Sequence, residues 1–493
     1  MSELLKNILY RAGAEETIDF TSDASNFTGN CDAVYFPRNQ DEVTAIVKYA
    51  NSRKIPVTVS AARTSLTGSS VPEGGIVLNT ARLNKLISFD QEARQVTLEP
   101  GYYLKDLKEF LYGKGLLYPP DPTEELSTIG GNIATNASGA KTFKYGPTRN
   151  FVEELEIILP DGEFIKLKRG ANFALGNKLT LTSETGNTYN IDLGELNMPE
   201  VKNAAGYFIK WKMDAIDLFI GSEGTLGIIT AARLKLVNAP EELLSCLTYF
   251  ENEDDALSFI SEAKNIAYKN RNPIPGGLPD PRALEFFDRY SLALLNEEYK
   301  HIPVRGAAVW FEQEYNSTNA ECLHTAWNEL MEKHHASPDS WLALNRQEQE
   351  EIGKFRHAVS YIVNEYIKRR GLRKVGTDVA VPDSEFVSFY KKITGMARDS
   401  GLKFVTYGHF GNSHIHLNML PAGNKEYELA KKIYYKICGE AVQLKGTVSA
   451  EHGIGKLKKE YLRLMYSQEE IEVMKRIKCT LDPNNILSPG NIF

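Results

Sequence analysis

The run of small residues at 127–139 constrains the fold of this chain most. It reads Ser-Thr-Ile-Gly-Gly-Asn-Ile-Ala-Thr-Asn-Ala-Ser-Gly and follows a Pro-Pro-Asp-Pro stretch at 119–122. Small side chains let a large, flat ligand lie directly against the backbone. A glycine-rich connector is the alternative, but connectors rarely run this long without a function. The run therefore predicts a fold built around a bulky cofactor.

Two further segments also expose backbone to a ligand. Residues 60–68, Ser-Ala-Ala-Arg-Thr-Ser-Leu-Thr-Gly, follow a predicted buried strand at 55–59. Their backbone amides can cradle an anion such as a pyrophosphate, although taken alone the segment favours a plain surface loop. Further along, Gly221, Gly224 and Gly227 recur at three-residue spacing between two apolar, strand-like runs.

A second chemical signal is the histidine-rich stretch 406–418, read together with Glu451 and His452. His414 and His416 are two apart, so in a strand they share one face while the apolar residues after each take the other. Imidazoles beside a glutamate suit a divalent transition metal. A polar strand face of solvated or hydrogen-bonded histidines is the alternative.

Composition narrows the function classes. A chain of 493 residues with 42% apolar and 25% charged residues is an ordinary soluble protein of two or three domains. The net charge of −7 and the absence of basic runs argue against nucleic-acid binding. No apolar stretch is long enough to span a membrane. There is no Gly-x-Gly-x-x-Gly after a strand and no P-loop, so a nucleotide-type cofactor must be bound in another way.

The five cysteines are far apart and include no Cys-x-x-Cys pair. This spacing argues against an iron–sulfur cluster, a zinc knuckle or a redox pair. It favours free thiols in a reducing cytoplasm, with peripheral membrane association left open.

Periodicity predicts a series of helices and strands. Asn39 is a predicted cap for a helix at 39–53. An Asp-Gly turn at 161–162 predicts a hairpin over 155–167, and residues 169–200 look like an insertion or an ordered loop. Further strands are predicted at 76–78, 86–89 and 96–99, and further helices at 103–112, 253–269, 317–335, 346–369 and 469–479.

These motifs converge on one family. The chain resembles the FAD-linked oxidases of the vanillyl-alcohol-oxidase/para-cresol-methylhydroxylase (PCMH) superfamily. Within it, the closest resemblance is to the D-lactate, glycolate and D-2-hydroxyglutarate dehydrogenases. The motifs that carry the resemblance are segments 119–122, 127–137, 221–228, 408–411, 416–418, 451–455 and 482–490.

The resemblance implies an α+β fold. Residues 1–237 would form a two-part FAD-binding domain of the PCMH type. Residues 238–455 would form a cap domain with an antiparallel sheet. Residues 456–493 would return to the FAD-binding domain.

The same resemblance implies a set of FAD-binding residues, with the pyrophosphate held by 61–68. No histidine lies in that loop and no cysteine in the other candidate loops, so non-covalent FAD is expected. The expected FAD-binding residues are Ala61, Ala62, Arg63, Thr64, Ser65, Gly68, Pro120, Ser127, Thr128, Gly130, Gly131, Asn132, Ala134, Thr135, Gly139, Glu223, Gly224, Gly227, Ile228 and Ile229.

The implied reaction is oxidation of a D-2-hydroxy acid to the 2-oxo acid, with hydride transfer to flavin N5. By resemblance, His409, His416 and Glu451 are ligands of a divalent metal such as Zn, Mn or Fe(II), and His452 is the base. Two histidines and one carboxylate leave coordination positions open for a bidentate hydroxy acid. Arg356, Ser360, Lys374 and Asn418 are the candidate substrate-binding residues.

The partners implied are a small 2-hydroxy carboxylic acid and a separate electron acceptor, because the chain carries no second redox centre. That acceptor would be a quinone, a cytochrome or an electron-transfer flavoprotein, and a homodimer is compatible with the family. Three alternatives stay open. They are an alkylglycerone-phosphate-synthase-like flavoenzyme, a metal-dependent hydrolase using the His/Glu cluster, and a catalytically silent binding protein.

The sequence departs from the family pattern at two places. Ala61-Ala62-Arg63 stands where the family usually has three glycines, and Arg63 either adds charge to the pyrophosphate site or reshapes the loop. His414 stands where the family usually has an asparagine. It is either a third nitrogen near the metal or flavin, or a packing change.

Overall fold

The computed structural model describes residue 5 and residues 7–271, 278–300, 302–343 and 345–493. Its first sheet has the order β1-β2-β4-β3, in which β2, β4 and β3 are parallel and β1 is antiparallel. The elements are β1 (Tyr10–Ala12), α1 (Ala14–Thr17), β2 (Ala33–Tyr35), α2 (Gln40–Arg53), β3 (Val57–Ser60) and β4 (Ile76–Asn79). The Asn39 side chain accepts a hydrogen bond from Glu42 N, which confirms the predicted cap of α2.

A five-stranded antiparallel sheet of order β5-β6-β12-β8-β9 forms the second half of the region for which the resemblance implies FAD binding, called the FAD-binding part below. Two pairs, β10–β11 and β7–β13, lie outside it. The strands are β5 (Leu86–Asp90), β6 (Gln95–Leu98), β7 (Leu116–Leu117), β8 (Val152–Ile158), β9 (Phe164–Lys168), β10 (Lys178–Thr182), β11 (Thr188–Asp192), β12 (Ile228–Lys235) and β13 (Val237–Asn238). The helices are α3 (Leu104–Leu111), α4 (Ile129–Ala134), α5 (Thr142–Tyr145) and α6 (Ile216–Phe219).

An antiparallel sheet of eight strands forms the cap, as the resemblance implies. Its order is β17-β14-β16-β15-β20-β21-β18, and β19 pairs with β21. The strands are β14 (Glu242–Phe250), β15 (Ala283–Asp288), β16 (Ala307–Tyr315), β17 (Trp341–Ala343), β18 (Val375–Gly376), β19 (Val379–Ala380), β20 (Phe404–Gly408) and β21 (His414–Met419). The helices are α7 (Glu253–Arg271), α8 (Arg289–Glu298), α9 (Ala320–Lys333), α10 (Arg346–Lys368), α11 (Phe386–Asp399) and α12 (Asn424–Gln443).

The carboxy-terminal segment returns to the FAD-binding part. It contains α13 (Lys459–Met465) and α14 (Gln468–Leu481). Ser488 N then donates to Val57 O at 2.7 Å, and the Asn491 side chain donates to Ser69 O at 2.8 Å. These contacts match the implied return of the chain, while the boundaries after residues 237 and 455 stay a prediction.

Three local features differ from the sequence interpretation. The small-residue run at 127–139 contains the short helix α4, capped by the Thr128 side chain. Residues 169–200 contain the β10–β11 hairpin rather than only loop. The first apolar run beside Gly221 is the helical turn α6 and not a strand, because a short apolar run does not by itself distinguish the two.

Within the part of the chain that the structure describes, no helix is both long enough and apolar enough to cross a bilayer.

The aspartate that caps α8 gives a prediction about pH. Burial raises the pKa of Asp288 to about 7, although the hydrogen bonds from Ser291 and Thr406 act to lower this pKa. The folded state therefore keeps a proton that the unfolded chain loses between the ordinary value of 3.8 and about 7, so stability falls as pH rises through that window. Asp288→Asn cannot ionise and should lose this part of the pH dependence. Thermal unfolding of both proteins at about pH 5 and about pH 8 measures it, and identical pH dependence would contradict it.

Candidate active site

A cleft between the FAD-binding part and the cap brings together most of the predicted site residues. On the FAD-binding side it is lined by residues 61–66 and by much of the 127–139 segment. On the cap side it is lined by α10, by the end of β20 and by the loop that carries Glu451 and His452. The predicted site residues that line it are Ala61, Ala62, Arg63, Thr64, Ser65, Ser127, Thr128, Gly131, Asn132, Ala134, Thr135, Gly139, Glu223, Arg356, Ser360, Lys374, His409, His416, Glu451 and His452.

The FAD-binding wall carries polar groups that lack protein partners. Ser127 Oγ and Asn132 Nδ2 are buried and have no hydrogen-bond partner among the described residues. Likewise, no backbone N–H of residues 62–66 donates to an acceptor in the described part of the chain. Buried polar groups are normally paired, so these donors and the hydroxyl fit a ligand rich in acceptors, such as the pyrophosphate and ring edges of FAD.

Arg63 gives the 61–68 loop its shape. Its φ of 58° lies in the left-handed region, which glycine adopts without steric strain and a residue with a Cβ does not. Its guanidinium carbon lies 4.8 Å from the centroid of the Phe20 ring, and its carbonyl accepts from Ala24 N at 3.1 Å. The structure thus supports the interpretation in which Arg63 reshapes the loop.

Eight predicted site residues do not line the cleft. A Cβ on Gly130 would meet Pro100 at 2.4 Å, and one on Gly227 would meet Ile157 at 2.5 Å, so these glycines allow close packing. Gly68 and Gly224 have positive φ, and Ile228, Ile229 and Asn418 are buried. The eight are Gly68, Pro120, Gly130, Gly224, Gly227, Ile228, Ile229 and Asn418.

One face of α10 turns towards the cleft. Arg356, Ser360 and Asn364 follow at helical spacing and all line it. Arg356 is 7% exposed, and its Nε donates to Glu285 Oε2 at 3.0 Å. It is therefore a buried cation at the cleft wall and not an ordinary surface charge. Burial together with Arg356 lowers the pKa of the neighbouring His357 to about 4.

His409 and His416 each have one ring nitrogen occupied and the other directed at Glu451. His409 Nδ1 contacts the Glu285 carboxylate, and its Nε2 lies 3.2 Å from Glu451 Oε2. His416 Nδ1 donates to Thr377 O at 3.2 Å, and its Nε2 lies 3.7 Å from Glu451 Oε2. Metal-ligating histidines are likewise held through one N–H by an oxygen, with the other nitrogen turned to the ligand site, which here is shared with Glu451. This donor set fits a divalent cation.

Glu451 is charged and collects donors from three parts of the chain. Its Oε1 accepts from the Lys202 ammonium and from Ser138 Oγ, the latter at 2.9 Å. Burial alone would raise the pKa of Glu451, but His409 and Lys202 hold it well below its usual range. A carboxylate in this state is ready to bind a cation.

His414 lies in the same cluster but uses both ring nitrogens within the protein. Its Nε2 lies 3.0 Å from Asp378 Oδ1, and its Nδ1 lies 3.3 Å from Lys202 Nζ. Burial, and then the charges of His416 and Lys202, hold the pKa of His414 well below its usual range, so the ring is neutral. A neutral ring that donates through Nε2 and accepts through Nδ1 links Asp378 to Lys202.

Sequence reasoning missed four residues of this site. Glu285 and Asp378 are buried acids that contact His409 and His452, and Lys202 and Ser138 contact Glu451. The only signal for Glu285 was an acid inside an apolar strand, and Lys202 lies just beyond the segment 169–200 that was interpreted as an insertion or ordered loop. All four are recognised only because tertiary structure brings segments that are distant in the sequence together at this site.

Comparison with known proteins agrees with this architecture. Residues 31–168 match the family model of an FAD binding domain, and residues 278–492 match that of the C-terminal domain of FAD linked oxidases. The glycolate oxidase subunit GlcD of Bacillus subtilis is 32% identical over 469 residues, which cover 94% of this chain and 89% of that protein. A D-lactate dehydrogenase of Anaerostipes hadrus is 29% identical over 495 residues, which cover 97% of this chain and 94% of that protein.

Among solved structures, p-cresol methylhydroxylase with substrate bound superposes with a TM-score of 0.72 at 15% identity, over 99% of this chain and 94% of that one. The fold is therefore of the PCMH type. The chain belongs to the family of FAD-linked oxidases. It is an FAD-dependent oxidoreductase, which confirms the resemblance seen in the sequence.

Proposed function

We propose that this protein oxidises a D-2-hydroxy acid to the 2-oxo acid and passes the electrons to a separate acceptor. The observation that carries the proposal is the meeting of three groups in the cleft lined by the FAD-binding loops. These groups are the Arg356 guanidinium, the imidazole of His452 and the donor set of His409, His416 and Glu451. The names of the relatives, a glycolate oxidase subunit and a D-lactate dehydrogenase, support the substrate class.

The roles follow from the chemistry of each group. Arg356 binds the substrate carboxylate from the cleft wall, and Ser360 and Lys374 line the same cleft. His452 takes the proton of the 2-hydroxyl group, since an imidazole is an effective base near neutral pH. The chemistry supplied by non-covalently bound FAD is acceptance of the hydride that leaves Cα. A zinc, manganese or iron(II) ion held by His409, His416 and Glu451 would supply the positive charge that lowers the hydroxyl pKa.

Substrate-dependent bleaching of the flavin tests the function. The purified protein should show a flavin spectrum and release FAD on denaturation. Its absorbance should bleach with one or more D-2-hydroxy acids from a panel, and the L-enantiomers serve as matched controls. A dye acceptor should then restore the oxidised spectrum. A yellow protein that no acid bleaches would contradict the proposal and favour flavin chemistry without net oxidation, as in an alkylglycerone-phosphate synthase.

The contacts of His414 predict how metal binding responds to its replacement. His414→Asn should keep bound metal with an affinity lowered by at most about 10- to 100-fold, because His414 acts outside the ligand set. His416→Asn, two residues along the same strand, removes a ligand and should lose the metal on dialysis. Metal titration of the apoproteins measures both. Complete loss of bound metal in both variants would indicate that His414 is itself a ligand and would contradict this prediction.

A further inference from the structure

Asp378 lies directly behind the proposed base. It is fully buried between β18 and β19, and its carboxylate contacts donor groups of five residues. His452 contacts it twice, with the backbone N at 3.0 Å and Nδ1 at 3.2 Å, both from Oδ2. The other donors are Lys458 Nζ at 2.8 Å, Ser449 Oγ at 2.7 Å, His414 Nε2 at 3.0 Å and Glu451 N at 3.2 Å.

These donors stabilise the charged form of the Asp378 carboxylate. The Lys458 ammonium lies 2.8 Å from Oδ2, and the backbone N–H groups of Glu451 and His452 also donate to the carboxylate, so its oxygens act as acceptors. An ionised carboxylate only accepts hydrogen bonds, so an imidazole nitrogen facing it must carry a hydrogen. Nδ1 of His452, 3.2 Å from Oδ2, is therefore the nitrogen that carries a hydrogen towards Asp378, and Nε2 is the nitrogen left to act on the substrate.

The loop that carries His452 is also held from the opposite side. Glu223 accepts from Ile454 N and from Gly455 N, each at 2.7 Å. Thr67 Oγ1 donates to His452 O at 3.5 Å. The backbone is therefore fixed on both sides, and the ring orientation is set by Asp378 and by the stack on His416, whose centroid lies 5.5 Å away.

We infer that Asp378 is a positioning residue for the reaction, and that it acts through His452 by fixing the tautomer and orientation in which Nε2 accepts the substrate proton. This inference rests on the proposed function, in which His452 is the base. Asp378 touches neither the cleft nor the substrate, so its effect must appear in the rate of flavin reduction and not in substrate affinity.

The test compares single and double variants by stopped-flow reduction of the bound flavin. Asp378→Asn places an amide where the carboxylate stood, and it should slow reduction by up to about 10⁴-fold, the loss that an incorrect tautomer causes in a hydrolytic triad. The apparent Kd of the acid, the FAD content and the metal content should stay unchanged. Because both residues act as one unit, Asp378→Asn in a His452→Asn background should cause almost no further loss.

A matched pair of variants separates this role from a structural one. Asp378→Asn leaves the Lys458 ammonium buried without its partner, which can destabilise the fold. Adding Lys458→Met removes that charge and should restore thermal stability without restoring the reduction rate. Lys458→Met alone is the reference for the double variant, and its flavin should be reduced faster than that of the double variant because the carboxylate on His452 remains.

Three results would overturn the inference. One is normal flavin reduction in Asp378→Asn. Another is a loss that multiplies with that of His452→Asn. The third is a rate restored by Lys458→Met. A wild-type flavin that no hydroxy acid reduces would instead refute the proposed function itself, and the two failures are therefore distinguishable.

Discussion

His452→Asn should slow reduction of the bound flavin by about 10²- to 10⁴-fold while FAD stays bound, because general-base catalysis contributes that much. Asparagine can keep a contact with Asp378 but has no lone pair of suitable basicity to take the hydroxyl proton. The side chain is partly exposed at the cleft, so the substitution opens no large cavity in the core. Stopped-flow absorbance of the flavin band gives the rate, and the spectrum after denaturation gives the FAD content.

The control for this variant is His324→Asn on α9, which replaces an exposed histidine away from the cleft. It should leave the rate, the FAD content and the thermal stability unchanged. Reduction of His452→Asn at the wild-type rate would refute the role of His452 as the base. A similar slowing in both variants would point to a general loss of folded protein.

Glu451→Gln should abolish tight metal binding and with it most of the flavin reduction. The amide is neutral, and its nitrogen can neither bind a cation nor accept from Lys202. Lys202 is 5% exposed at its side chain, so the variant leaves a buried ammonium without its carboxylate. Breaking such a pair costs about 3–5 kcal/mol, so thermal stability should fall as well. Elemental analysis after dialysis against a chelator measures the metal.

The double variant Glu451→Gln with Lys202→Met separates the two effects. It removes the unpaired ammonium, so stability should recover while the metal stays lost. Glu460→Gln, at an exposed glutamate further along the chain, is the matched control and should retain its metal. Stoichiometric metal in dialysed Glu451→Gln would contradict the proposed ligand set.

Local patterns in the sequence were sufficient for much of the fold. Asn39 and Glu42 cap α2 as their spacing predicts, since capping depends on residues three apart. The alternation around His414 and His416 likewise placed both on one face of β21, with Ile415 on the other. The small-residue run at 127–139 lines the cleft, although its helical turn was not predicted.

Which glycines line the cleft was beyond the reach of sequence alone. Gly131 and Gly139 line it, whereas Gly130 and Gly227 pack against Pro100 and Ile157. A glycine has the same sequence signature whether it admits a ligand or a neighbouring side chain. Only the position of the opposing surface distinguishes these uses.

The histidine-rich stretch shows the same division between sequence and tertiary structure. By itself, the sequence determined that several imidazoles and a glutamate were available, and that His414 and His416 would point the same way. Only the tertiary structure decided that Nε2 of His416 faces Glu451, while His414 is occupied by Asp378 and Lys202. The physical reason is that strand periodicity is local. Which of the two imidazole nitrogens can bind a ligand depends on the hydrogen-bond partner of the other nitrogen. That partner comes from a distant part of the chain.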